Sequence, residues 1–153
     1  MFKRILLGAL ALAFAFIAYL FIQADTSAGL PNPEHMPTEL KPCPDKPNCV
    51  STQAAQEDKK REPISYSGNL EQARTKLLKV LDDTPRTNRV TVEDKYVHYT
   101  FKTWPIPFTD DVEFLFDDQA KVIHYRSASR VGHSDLGVNS KRMAKLVAAY
   151  AAD

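Results

Sequence analysis

The pattern of apolar and polar positions changes character twice along the chain. Residues 5–22 are apolar and uncharged throughout, residues 23–67 show neither helical nor strand spacing, and from Asn69 onward regular periodicities begin. Asn69 followed by Gln72 forms a cap pair, and Leu70, Ala73, Leu77, Val80 and Leu81 then recur at helical spacing before Pro85. A second helix is predicted after Asn139, with Met143, Leu146, Val147 and Tyr150 as its apolar stripe and Lys141, Arg142 and Lys145 facing water. Between the helices, residues 89–93, 95–103, 108–117 and 121–130 read as strands. The turns joining them are too short for parallel crossovers, so the strands form an antiparallel meander. The predicted fold class is α+β: a four-stranded antiparallel meander with one helix before and one after it, preceded by an N-terminal apolar helix.

Alternation assigns the two faces of that sheet. Val90, Val92, Val97, Tyr99, Phe101, Val112, Phe114, Phe116, Ile123 and Tyr125 make one apolar face for the helices to cover. The other face receives Thr91, His98, Thr100, Lys102, Asp111, Glu113, His124, Arg126 and Arg130. If Asp117 faces Val122 and Thr103 faces Phe108, then His98, Glu113 and Arg126 stand side by side across three strands, at Cβ separations of about 4.5–5.5 Å.

The segment before the domain speaks to location. Lys3 and Arg4 precede the apolar run of residues 5–22, which as a helix of about 1.5 Å per residue approaches the thickness of a hydrocarbon core. Residues 1–23 are therefore expected to be a membrane anchor with a cytoplasmic N-terminus, the rest lying on the periplasmic or extracellular side. The alternative is a signal peptide cleaved at Thr26-Ser27-Ala28, which would release the protein to the periplasm. Residues 24–66 hold seven of the ten prolines and read as a tether, ahead of an α+β domain at 67–153. The two cysteines, Cys43 and Cys49, lie within this tether and are expected to form a disulfide in an oxidising compartment. Zinc is disfavoured because two thiolates and His35 fall one ligand short of a closed shell. No metal site or cofactor is implied.

Charge excludes one large class of partner. Lys and Arg number 20 against 19 Asp and Glu, and removing residues 1–28 leaves 18 against 18, with no basic run. This balance provides no electrostatic footprint for nucleic acid.

The chemistry-bearing residues concentrate near the C-terminus. Arg126 and Arg130 place fixed cations on one sheet face, and Gly132 and Gly137 bracket a polar loop that leads into a helix. The expected function is a binding or structural module of the envelope that uses the polar sheet face and the loop from Arg126 to Asn139; its candidate ligand-binding set is Arg126, Arg130, Glu113, Asp111, His98, Ser127, Ser129, Asp135 and Asn139, suited to a small anionic ligand or an envelope protein. A loop such as the Cys43–Cys49 segment would turn the face into a pocket by covering it. Ser127 and Ser129 continue the core face past Tyr125 and need buried hydrogen-bond partners, while Asp135 either caps the loop or accepts from Arg130. No catalytic residue is assigned. An alternative reading is a small hydrolase or isomerase with His98, His124 or His133 as base and Glu113 or Asp111 as its orienting acid. No serine sits in a nucleophile elbow.

Three blocks carry a resemblance: Cys43-Pro-Asp-Lys-Pro-Asn-Cys49-Val-Ser51, Asp110-Asp-Val-Glu-Phe114, and the run from Arg126 to Asn139 followed by Arg142. Together they resemble a family of bacterial and plastid proteins grouped as domain of unknown function 1499, over about residues 40–150. The resemblance implies domain identity and membrane association, and it implies no activity. His133 departs from the family pattern, in which an aromatic residue is more usual at that position.

Overall fold

The computed structural model describes residues 8, 11–19 and 37–152. Residues 11–19 are helical, and among the described residues no helix is long and apolar enough to cross a membrane. The remainder of the 5–22 anchor expectation, and the Thr26-Ser27-Ala28 cleavage site, lie outside the described residues.

The fold is α+β with an antiparallel sheet of six strands: β1 (Cys49–Ser51), β2 (Ile64–Ser65), β3 (Thr87–Val92), β4 (Tyr96–Lys102), β5 (Thr109–Asp117) and β6 (Val122–Ser129). Helix α1 (Leu70–Asp82) precedes the β3–β6 meander and α2 (Val138–Ala152) follows it. The expected four strands, and the helices on either side of them, are present. The four-stranded sheet itself needs correction. β1 pairs with residues 126–128 of β6 and β2 with residues 122–123, so the stretch expected to be a Pro-rich tether with a Cys43–Cys49 loop supplies two more strands. Strands of three and two residues are too short to display a period of two, and what recruits them is the free edge of β6, which would otherwise expose unpaired backbone groups.

α1 begins where its sequence signals a start. Asn69 Oδ1 accepts from the Gln72 backbone N–H at 2.8 Å while the Gln72 side chain accepts from the Asn69 N–H, a reciprocal cap of about 1 kcal/mol. Its buried residues Ala73, Leu77, Val80 and Leu81 meet Met143, Leu146 and Tyr150 of α2 over Tyr99, Phe101, Val112, Phe114, Phe116, Ile123 and Tyr125. Parity held on the three inner strands because both neighbours enforce register.

It failed on β3, the sheet's outer strand. A bulge between Arg89 and Thr91 pairs Arg89 with Tyr99 and Thr91 with His98, leaving Val90 as the extra residue. Arg89 therefore takes the helix side, where it and the Tyr99 hydroxyl both donate to Asp82 Oδ1 at 2.9 and 2.8 Å. Val90 lines a cavity on the opposite side, and Val92 is exposed at the edge, so neither joins the core. Arg142 also departs from expectation: it is turned inward, its guanidinium 5.0 Å from the centre of the Phe101 ring.

Candidate functional site

On the face away from the helices, the row implied by alternation is present. His98 pairs with Glu113 across β4 and β5, and Glu113 with Arg126 across β5 and β6. The side-chain hydrogen bonds nevertheless divide the row into two acid-centred units. Glu113 accepts from the Tyr96 hydroxyl and from Arg126 Nη1, both at 2.8 Å. Asp111 accepts from Arg130 through Nε and Nη2, each at 2.9 Å, and from His98 Nε2 at 2.8 Å. His98 reaches diagonally to Asp111 rather than straight across to Glu113.

These groups are deeper than a water-facing sheet would place them. His98 is 3% exposed and Glu113 7%. The cover comes from the N-terminal side: Leu40 packs on Tyr96 and Leu115, and the disulfide-bonded Cys43 and Cys49 pack on Ala128 of β6. The disulfide loop is itself held in place, since the buried Lys59 ammonium donates to the Pro44 carbonyl and the Leu40 N–H donates to Gln53 Oε1.

Electrostatics follow from this burial. Desolvation would raise the Asp111 carboxyl, but hydrogen bonds from His98 and Arg130 and their charges outweigh it, bringing the group to about 2. Burial, followed by the adjacent Glu113 carboxylate, pushes the Tyr96 hydroxyl above its ordinary value, so it acts as a donor. His98 Nδ1 and Arg126 Nε are buried without a hydrogen-bond partner among the described residues.

The other members of the sequence-derived set lie on the helix side. Asn139 is fully buried. Its Oδ1 accepts from Ser127 Oγ at 2.5 Å and Arg142 Nη1 at 2.6 Å, and its amide nitrogen is shared among Asp135 Oδ2, Ser129 Oγ and the Asn48 carbonyl. Asp135 organises the loop, accepting from the Gly137 and Asn139 backbone N–H groups at 3.0 and 2.8 Å. Gly132 and Gly137 have φ of 90° and 77°, the left-handed geometry expected of them. The set thus separates into Arg126, Arg130, Glu113, Asp111 and His98 on one side of the sheet, and Ser127, Ser129, Asp135 and Asn139 on the other. Of the remaining histidines, His124 Nδ1 lies 3.1 Å from Thr52 Oγ1, and His133 is exposed in the loop.

Asp110 and Arg142, which stand outside the sequence-derived site set, form a buried pair at 2.5 Å with Asp110 1% exposed. Both left a signal. Asp110 shares the parity of Val112 and Phe114, and Arg142 lies three residues after Asn139 and four before Leu146, along the buried stripe of α2. Tyr96 shares the parity of His98 but gives no sign of its burial, and Asn48 left no signal, because nothing local indicates that the segment before β1 packs on the sheet.

Two cavities flank the turn containing Trp104. The larger, of about 560 Å³, opens on the polar face and is lined by Arg86, Lys102, Arg130, Thr100, Thr109 and Asn88 among others, with no acid in its wall. The smaller, of about 270 Å³, lies on the helix side of the same turn.

A family model described as "Protein of unknown function (DUF1499)" matches residues 39–150. No curated protein and no solved structure matches the chain.

Proposed function

The chain belongs to the DUF1499 family, and we propose that it serves there as a binding module of the cell envelope, taking a small anionic ligand on its polar sheet face. The observation that carries this reading is the sign of the larger cavity: Arg86, Lys102 and Arg130 line it with hydroxyl and amide groups and without a carboxylate. Arg130 is held rigidly by Asp111, which compensates its charge, so the net attraction for an anion comes from Arg86 and Lys102. The Asp111–Arg130 unit acts as a preformed wall, and Glu113–Arg126 supports it from the next position along the strands.

Tethering through residues 5–22, with the domain on the far side of the membrane, is part of the same proposal. The apolar run behind Lys3 and Arg4 supports it, as does a disulfide suited to an oxidising compartment. Extraction of the full-length protein from native membranes by alkaline carbonate would contradict the anchor.

The competing reading makes His98 a general base oriented by Asp111. The 2.8 Å contact favours it, but a base must reach its substrate, and His98 lines neither cavity while its Nε2 is occupied by Asp111. Binding is the better account of a face whose cavity is lined by cations and hydroxyl groups and not by an imidazole.

Calorimetric titration of the full-length protein with inorganic phosphate and with succinate tests the proposal. Saturable binding that the exposed-residue variant Arg86→Gln/Lys102→Gln weakens about tenfold, near 1.4 kcal/mol, is expected. Binding of neither anion, or binding indifferent to the double substitution, would remove the basis for the reading. Retention of an acidic envelope polypeptide instead of either anion would redirect it to a protein partner.

A further inference from the structure

The smaller cavity, on the helix side of the Trp104 turn, combines two features that folding alone does not require. Its rim carries Trp104, Ile106 and Leu136, which are 78%, 52% and 86% exposed and come from two separate loops. Large apolar side chains converging on one opening from separate loops mark a contact surface more often than chance exposure does. Leu136 moreover holds a left-handed backbone at φ 53°, an uncommon conformation for a residue of its kind.

The second feature lies deeper. Asp110 lines the same cavity, is 99% buried, and carries one carboxylate oxygen, Oδ1, with no hydrogen-bond partner among the described residues. Its other oxygen, Oδ2, accepts from Arg142 Nη2 at 2.5 Å. The charge of Asp110 is therefore already matched, while one strong acceptor remains open. An acceptor in a neutralised pair selects a neutral donor. A cation would add an unmatched charge beside Arg142, and an anion would meet the carboxylate directly.

We infer that this cleft is a second ligand site, taking an aliphatic molecule or chain end that carries a single hydroxyl, with the hydroxyl donating to Asp110 Oδ1 and the hydrocarbon seated against Trp104, Ile106 and Leu136. At about 270 Å³ the cleft lies just below the usual range for small-molecule pockets, so it accommodates a compact ligand or one end of a longer one. The site does not depend on the anion-binding reading: its floor is on the other side of the sheet, and its selectivity is for uncharged groups.

The chain has one tryptophan, Trp104, which lines both cavities, so its emission is read beside a variant at Ile106 and Leu136, which line only the smaller one. Full-length protein would be titrated with 1-hexanol, with its isomer 1-methoxypentane, which lacks the donor, and with hexylammonium and hexanoate. The expected result is a saturable blue shift with 1-hexanol, an affinity about tenfold lower for the ether, and weaker effects for both ions. The Ile106→Ser/Leu136→Ser variant, changed at exposed positions, should lose the hexanol response. Equal affinity for the ether, tighter binding of either ion that the double substitution abolishes, a hexanol response that survives that substitution, or no saturable shift would each overturn the inference. So would a shift produced by neutral phosphatidylcholine vesicles but not by hexanol, which would make the rim a membrane-contact patch. Phosphate and succinate report on the other cavity, so failure there leaves this result standing, and the reverse.

Discussion

Asp110 and Asp111 are neighbours in sequence, each ion-paired to an arginine at hydrogen-bonding distance, yet they serve opposite faces of one sheet. Asp110 points under α2 to Arg142 and is 1% exposed; the Asp111 side chain points to Arg130 and His98 and is 15% exposed. Beneath the helix, the pair fastens α2 to β5, and Asn139 ties the same region to β6 and to the loop before β1. On the other face, the pairs form a polar wall that Leu40 and the disulfide loop cover only in part. Similar chemistry thus does different work depending on what is packed against it. Residue type alone does not distinguish a structural fastener from a binding surface.

The comparison can be broken most forcefully at Arg142. Arg142→Ala leaves the Asp110 carboxylate buried without its cation and should cost about 3–5 kcal/mol in urea-induced unfolding. A loss under about 1 kcal/mol would mean that this face is as tolerant as the open one, and the distinction drawn between them would fail.

The open face should reveal itself through acid. Asp111 titrates at about 2 when folded, below its ordinary 3.8, so its contribution is fully present above the unfolded value and lost as pH falls through the folded one. Unfolding free energy should therefore decline by on the order of 2 kcal/mol from this group between about pH 4 and pH 2. Asp111→Asn should abolish that share of the slope. An identical slope in the variant would show that other carboxylates carry the acid response.

The smallest effect is expected at a pair that belongs to neither face. Arg74 lies 2.7 Å from Asp94, whose side chain is 92% exposed, and Arg74→Ala should change stability by less than about 1 kcal/mol. A larger loss in thermal melting would mean that burial does not rank these ion pairs as argued.

Much of this was legible beforehand because it rests on local rules. The Asn69 cap, the α1 stripe, the three inner strands and the row from His98 through Glu113 to Arg126 all follow from periods of 3.6 and 2 together with short turns. The disulfide also followed, from two cysteines and an expected compartment. The misses share one physical character. Val90 is misassigned because a bulge on an edge strand inserts one residue and shifts the parity of the residues before Thr91, and Arg142 because a long cation beside an apolar stripe is expected to seek water.

By itself, the order of residues determined which groups share a strand face and which segments coil into helices, since backbone geometry makes those relations almost independent of the rest of the molecule. Tertiary structure alone decided that β1 and β2 would close the edge of β6, that Leu40 would pack on Tyr96 and the disulfide on Ala128, and that Asp110 would lie beneath a helix with one oxygen unpartnered. Those outcomes depend on contacts between residues far apart in the chain. Each is settled by burying apolar surface and satisfying polar groups together, which no local window of sequence records.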